Sequence, residues 1–360
     1  MEIKSSEAPI DLQEFGSRAG YREAYIAKTS GKEVLTFVER RFDLSAVTTL
    51  VLKTTQNCNL VNQPAGFYNQ ILNLHQINDI RYINTFLETI NSCLPSGGTM
   101  LICGETKSQR KQRIMREYPY WLSFSGYLLD YLNRHLLQKL PAGKGINFKQ
   151  SKGHRQVLSR AEILGRVVGC GFEILEEKEI DGKLYVTARK IRNPAYNLQT
   201  SQGPLIFLNR IGKGGKLIKV YKMRTMHPHS EYLQEYIYRN NNLEQGGKLR
   251  NDFRITTPGR ILRRLWLDEF PMLWNLLKGD LKLVGVRPLS KHNMSLYTPE
   301  FQQKRIKFKP GLVPPCPLDL PLTIEEIEES EKRYLCEFEK APLRTDLHYF
   351  MLAIKNIIFK

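Results

Sequence analysis

The sequence predicts an α/β protein of two domains, and three observations predict it. The chain has 360 residues, enough for two separate cores. Between about residues 65 and 190, apolar runs of strand length alternate with runs of helical period. A polar, proline-bracketed stretch, "KIRNPAYNLQTSQGP" from Lys190 to Pro204, then leads into a region of different character. The expected domains are residues 1–192 and 193–360.

The N-terminal elements follow in order. "FYNQILNLH" reads as a buried strand, and "NDIRYINTFLETINSCLPSGG" as a helix with Ile83, Phe86, Leu87 and Ile90 at helical spacing. Pro95, Gly97 and Gly98 end that helix. "TMLICGE" is the next strand, a helix spans about Ser159 to Val168, and "FEILEEKEIDGKLYVTARK" is a hairpin turning at Asp181-Gly182. This order resembles the C-terminal half of a class I methyltransferase, which implies a partial methyltransferase-like α/β sheet. The resemblance also implies a glycine-rich cofactor turn after the first strand. No G-x-G-x-G occurs in the first 65 residues, so the domain is expected to be cofactor-free, with a structural or docking role.

Bulk properties narrow the function. The net charge of +18 favours a polyanionic partner: nucleic acid, an anionic membrane surface or a phosphorylated substrate. The six cysteines are scattered with no C-x-x-C pair, which argues against a zinc site or a disulfide framework and fits a reducing cytosol. "MEIKSSEAPIDLQEFG" has no apolar h-region, so no signal peptide is expected. No window reaches the roughly 18 apolar residues of a spanning helix. Two segments could instead lie in a membrane interface or pack in a core: Tyr118 to Leu140, rich in aromatics, and the C-terminal "LHYFMLAIKNIIFK".

The chemistry concentrates after Gly203. "LWLDEFPMLWNLLKGD" sets Asp268 and Glu269 side by side in an apolar run. A purely structural account is available: Thr257 caps one helix ahead of Pro258, Asp268 caps a second, Glu269 sits in its first turn and Gly279 stops it. A functional account uses the same geometry. A helix N-terminus favours the ionised carboxylate, one carboxylate can attack phosphorus, and its neighbour can hold Mg²⁺. "RIGKGGK" admits either a hairpin turn or a backbone phosphate cradle.

Six linked motifs run in one order over about 110 residues: Gly-Pro with Arg-x-Gly-x-x-Gly, Lys-x-Arg-Thr-Met, Leu-Arg-Arg-x-x-Leu-Asp-Glu-x-Pro, Lys-Gly-Asp, Val-Gly-x-Arg-Pro and Lys-Pro-Gly. They closely resemble the bacterial sugar transferases, the monotopic polyprenyl-phosphate phosphoglycosyl transferases of capsule, exopolysaccharide and O-antigen assembly. The resemblance implies an α+β catalytic domain with Asp268 as nucleophile, Glu269 as Mg²⁺ ligand and Arg263 as the motif arginine. Lys222, Arg224, Arg264, Arg287 and Pro288 become the substrate-binding candidates. It also implies a UDP-sugar donor, a polyprenyl phosphate acceptor and a place on the cytoplasmic face of the inner membrane, peripheral or monotopic. Such proteins carry a long apolar re-entrant helix before the Gly-Pro strand; here "VTARKIRNPAYNLQTSQ" stands in that place, and Leu208 stands where a Gln is usual. A homo-oligomer is compatible with the sequence, and a non-catalytic scaffold in a polysaccharide assembly complex is the rival reading. Nucleic-acid binding is not expected, because the basic residues cluster with the phosphate-transfer motifs.

Overall fold

The computed structural model describes residues 17–117, 156–195, 203–241, 251–315 and 323–358. The chain divides into two compact units. One combines the first 200 residues with Pro228–Leu233, and the other combines Ser201–His227 with Gln234–Lys360. A single cut point cannot express this, since six residues from within the second half pack with the first.

In the first unit the order is α1 (Arg18–Ser30), α2 (Lys32–Glu39), β1 (Thr49–Leu52), α3 (Cys58–Val61), β2 (Gln70–Gln76), α4 (Ile83–Cys93), β3 (Thr99–Gly104), α5 (Lys107–Glu117), α6 (Arg160–Gly169), β4 (Phe172–Ile180) and β5 (Lys183–Lys190). The strands form one sheet in the order β1-β2-β3-β5-β4. The first three are parallel, and the β4–β5 hairpin joins β3 antiparallel. β3 is a near-continuous apolar run, and β2 is buried without a break from Ile71 to Leu74, as expected for strands covered on both faces. Leu72, Leu74, Leu101, Cys103 and Tyr185 share a core with Ile26 of α1 and Val34, Phe37 and Val38 of α2. The one buried polar residue of β2, Asn73, clips the chain after β1 by bonding both the N–H and the C=O of Thr54. The expected strands, the Ile83 helix, the α6 helix and the hairpin are all present, and the hairpin turns through Asp181 and Gly182 at positive φ. α1, α2, α3 and α5, together with the edge strand β1, were not legible in the sequence.

The second unit contains β6 (Leu205–Ile211), β7 (Leu217–Met223), α7 (Gln234–Asn241), α8 (Thr257–Arg264), a 3-10 turn (Leu267–Met272), α9 (Leu273–Leu277), β8 (Lys282–Val284), α10 (Lys291–Ser295), α11 (Pro299–Arg305), β9 (Gly311–Val313), α12 (Ile324–Lys340) and α13 (Pro342–Ile358). β6 and β7 pair antiparallel, and β8 and β9 pair parallel. One core gathers Val284, Val286, Met294, Tyr297, Phe301, Tyr334 and Leu335, with Tyr349 and Phe350 of α13 packed against it. A smaller one joins Val220 of β7 to Met272 and Leu281, beneath the 3-10 turn. The C-terminal helix thus packs into a core through one face, while Leu343, Leu347 and Met351 remain exposed on another. The Tyr118–Leu140 segment lies outside the described residues.

Candidate active site

The site is built where α8, the 3-10 turn and β7 converge. Thr256, one residue before the expected cap, starts α8: its Oγ1 accepts from the Gly259 N–H at 2.9 Å. Gly259 is required by the close approach that follows, because a Cβ there would lie 2.1 Å from the Thr225 carbonyl oxygen. α8 is therefore pressed against the end of the Lys-x-Arg-Thr-Met segment, and Thr256 N–H bonds that same carbonyl at 2.9 Å.

The chain then reverses at Trp266, whose φ of +57° is in the left-handed region that a bulky side chain rarely enters. The expected helix cap at Asp268 is not formed. Trp266 takes the N-cap position with no side-chain bond, and Asp268 and Glu269 both fall in the first turn of the 3-10 segment. Pro271 supplies the reason: it has no N–H to close an α-helical bond back to Leu267. The account of the acids as cap and first-turn charge therefore fails for Asp268. α9 follows and ends ahead of Gly279, which adopts φ +75° as expected of a helix stop.

Glu269 is paired. Lys222 of β7 places its Nζ 2.5 Å from Glu269 Oε1, with both side chains largely shielded from solvent. Asp268 sits half-buried beside it. Desolvation raises its pKa above the ordinary carboxylate value and the Glu269 charge adds to the rise, while Lys222 and Arg263 oppose it. The downward pull expected from a helix dipole is outweighed, since a single 3-10 turn carries little dipole. Arg263 reaches back from the end of α8, its Nε donating to Thr225 Oγ1 at 2.9 Å. Desolvation lowers its pKa, and Asp268 and Asp252 raise it.

Lys222, Arg263, Asp268 and Glu269 are thus brought together. Arg287 follows β8 as the exposed residue of an otherwise largely buried loop, close enough for its charge to act on Arg263. Pro288 is half-exposed beside it. Arg224 is engaged elsewhere: its Nε donates to the Gly203 carbonyl at 2.9 Å and its N–H to that of Pro204 at 2.6 Å. Arg264 is exposed, with no ion pair among the described residues. "RIGKGGK" resolves as the β6–β7 hairpin turn. Gly212, Gly214 and Gly215 all spend their N–H groups on carbonyls of the protein, which leaves no backbone cradle there.

Two contributors escaped the sequence reading. Asn275 is fully buried under the turn: its Nδ2 donates to the Lys219 carbonyl at 2.7 Å and its Oδ1 accepts from the Tyr221 N–H at 3.0 Å. It fastens α9 to β7, and so sets the acids over Lys222. Its signal was a lone amide in the run Trp274–Leu277. Arg210, at the end of β6, was visible only as a motif letter. Burial lowers its pKa, and the charge of Arg287 lowers it further.

The apolar residues flanking the acids are exposed. Leu265, Leu267, Phe270, Trp274 and Leu277 all show 45% or more of their surface, with Leu277 at 79%. A run of exposed large apolar side chains is the kind of surface that serves as an interaction face.

Residues 194–360 match the family model for bacterial sugar transferases. The chain is 30% identical over 158 residues to the galactosyl transferase CpsE of Streptococcus agalactiae serotype III, an alignment covering 43% of this chain and 35% of the relative. It is 37% identical over 123 residues to the undecaprenyl-phosphate galactose phosphotransferase of Salmonella typhimurium, covering 32% and 26%. Against the uncharacterized sugar transferase EpsL of Bacillus subtilis it is 38% identical over 112 residues, covering 31% and 49%. The chain thus spans between 26% and 49% of the length of these relatives. The segment that matches the bacterial sugar transferase model, residues 194–360, carries the Asp268–Glu269 pair and each of its cationic neighbours.

Proposed function

We propose that the protein is a phosphoglycosyl transferase, moving a sugar-1-phosphate from a UDP-sugar to undecaprenyl phosphate and so starting exopolysaccharide, capsule or O-antigen assembly. The observation that carries the reading is the Asp268–Glu269 pair, half-buried and faced by Lys222 and Arg263 within the family segment. The relatives' names speak of undecaprenyl-phosphate phosphotransferases and of a UDP-galactose-lipid carrier transferase, which supports this donor and acceptor.

The step balances on one carboxylate. An Asp268 oxygen attacks the sugar-bearing phosphorus, the bond to the bridging oxygen breaks, and UMP leaves with that oxygen. The acyl phosphate left on Asp268 is attacked by an oxygen of the lipid phosphate. This frees the carboxylate and gives the polyprenyl diphosphate-sugar. Arg263 and Lys222 are placed to offset the negative charge that develops on the transferring and leaving oxygens.

Among the described residues no group of three or more His, Cys, Asp or Glu could hold a metal. The two adjacent carboxylates nevertheless suit Mg²⁺, which takes one or two carboxylates and completes its shell with water and substrate phosphate oxygens. Glu269, with Asp268 beside it, would hold the ion, which when bound neutralises phosphate charge. Lys222 must then turn from Glu269 toward the substrate.

The exposed apolar residues around the acids, with Arg260, Arg264 and Lys278 among them, form the face we assign to the membrane surface, where the lipid phosphate resides. No helix among the described residues is long and apolar enough to cross a membrane. The first unit is assigned a cofactor-free docking role. The chain leaves β1 through Lys53-Thr54-Thr55-Gln56-Asn57, with no glycine where a cofactor phosphate would approach.

UMP release over a panel of UDP-sugars, with Mg²⁺ and undecaprenyl phosphate, tests the proposal. Release with at least one donor, and label trapped on Asp268 when the acceptor is withheld, are the expected results. A protein that releases UMP from no donor is the scaffold of the rival reading.

A further inference from the structure

The most completely buried ion pair among the described residues lies away from the acids. Arg305, the last residue of α11, faces Glu331 of α12 with Nε to Oε2 at 2.7 Å and Nη2 to Oε1 at 3.1 Å, their side chains 2% and 1% exposed. The Tyr297 ring lies 5.6 Å from the guanidinium. α11 is tied to α12 at its other end as well, where Thr298 gives its N–H and its hydroxyl to Glu328. Geometry this complete is more than stability requires. Well-packed apolar residues usually replace a buried ion pair without loss of stability.

The pair has a third partner. Arg305 Nη2 also donates to the backbone carbonyl of Arg287, forming a short hydrogen bond. On either side of Arg287 the loop is pinned by backbone bonds. The Val286 carbonyl accepts from the Gly311 N–H at 2.9 Å, and the Leu289 carbonyl accepts from the Ile211 N–H at 2.9 Å. The second of these bonds sets the loop against the end of β6, next to Arg210. The backbone of Arg287 is therefore fixed from three elements while its side chain is exposed. Neither Arg287 nor Arg210 has an acidic partner within ion-pair distance among the described residues. Two cations held together without an anion are matched to an anion from outside.

We propose that Arg305, held by Glu331, is a positioning residue that fixes Arg287 beside Arg210 as a receptor for a substrate phosphate. The proposal rests on the phosphoglycosyl transferase reading. The shared chemistry is a phosphate, which either the nucleotide donor or the lipid acceptor brings. Arg305 itself touches no substrate.

The test separates positioning from folding. In the double variant Arg305→Met/Glu331→Leu the pair is replaced by apolar side chains of similar size, so the fold and the melting temperature should stay close to wild type. UDP, titrated calorimetrically with Mg²⁺, is the donor probe, and KM for undecaprenyl phosphate is the acceptor probe. The folded double variant should lose about tenfold in one of the two, the size of a charge-assisted phosphate contact. The arm that moves names the source. Arg287→Ala should lose about as much in the same arm, and adding it to the double variant should cost nothing further, because both act through one contact. Arg305→Lys is the second variant, should the double variant not fold. It keeps the charge opposite Glu331, gives up the planar fork that reaches the Arg287 carbonyl, and should lose several-fold in the same arm. Wild-type values in both arms for a folded variant overturn the positioning role. Full additivity with Arg287→Ala does the same. If wild-type protein neither binds UDP nor uses the lipid, the functional reading fails and takes this proposal with it.

Discussion

The two units treat their apolar residues in opposite ways. In the first, α1, α2 and the sheet close over Leu72, Leu74, Leu101 and Tyr185, and the exposed large apolar side chains, such as Val47, Phe67 and Tyr82, are scattered. In the second, an apolar segment from Leu265 to Leu277 is left largely outside, wrapped around the two acids of the Asp-Glu motif. Burial in the first unit stabilises a shape. Exposure in the second forgoes that stabilisation, and an exposed Phe or Leu forgoes about 1.5–3 kcal/mol relative to burial. The comparison teaches that equal hydrophobicity serves a core in one place and a contact face in the other.

The sharpest way to break the contrast is at Asp268. Asp268→Asn should reduce UMP release by on the order of 10³-fold or more while the fold persists, because the amide carries no charge with which to attack phosphorus. An Asp268→Asn variant of ordinary activity, free of deamidation by mass spectrometry, removes the nucleophile from the account.

Next come the two kinds of apolar residue. Phe86→Ala, in the closed core of the first unit, should cost about 3–5 kcal/mol, read from the denaturant midpoint. Asn275→Ala tests the clip under the acids. It leaves the Tyr221 N–H and the Lys219 carbonyl without their buried partner, at a cost of about 1–3 kcal/mol. Activity should fall as well, because the turn is no longer held over Lys222.

Phe270→Ala should change stability by only about 0.5 kcal/mol or less, since the ring is 66% exposed, yet weaken binding to anionic vesicles. Vesicle binding should also decline as salt rises. If Phe270→Ala unfolds the protein as Phe86→Ala does, the run is a core after all and the contrast dissolves.

The smallest effect is one of pH. The folded-state pKa of Asp268 is raised, so the native protein holds that proton to higher pH than the unfolded chain does. Stability from this group therefore declines as pH rises from the ordinary carboxylate range through the raised value. Asp268→Asn should accordingly melt slightly higher than wild type at neutral pH and no higher in acid. A variant that melts lower than wild type at neutral pH contradicts the sign of the shift.

Much of this was legible in the sequence because it depends on local pattern. The β2 and β3 runs, the Ile83-Phe86-Leu87-Ile90 stripe and the Asp181-Gly182 turn each state their conformation within a few residues. The linked motifs after Gly203 carried the resemblance to the bacterial sugar transferases, and with it the expectations for Asp268, Glu269 and Arg263. The sequence had no means of showing what distant segments do to one another. A cap at Asp268 looked sound until Trp266 turned left-handed and Pro271 forced a 3-10 turn. Lys222 and Arg224 looked equivalent, yet their places on and after β7 send one to Glu269 and the other to the Gly203 carbonyl. Asn275 and Arg305 were single letters whose partners lie 54 to 56 and 18 to 26 residues away. Residue chemistry and periodicity are properties of the chain, so the sequence determined which groups exist and which segments are helix or strand. Pair geometry and desolvation are properties of packed segments, so only the tertiary structure decided which carboxylate meets a lysine, which arginine is held by its backbone, and which apolar run stays outside.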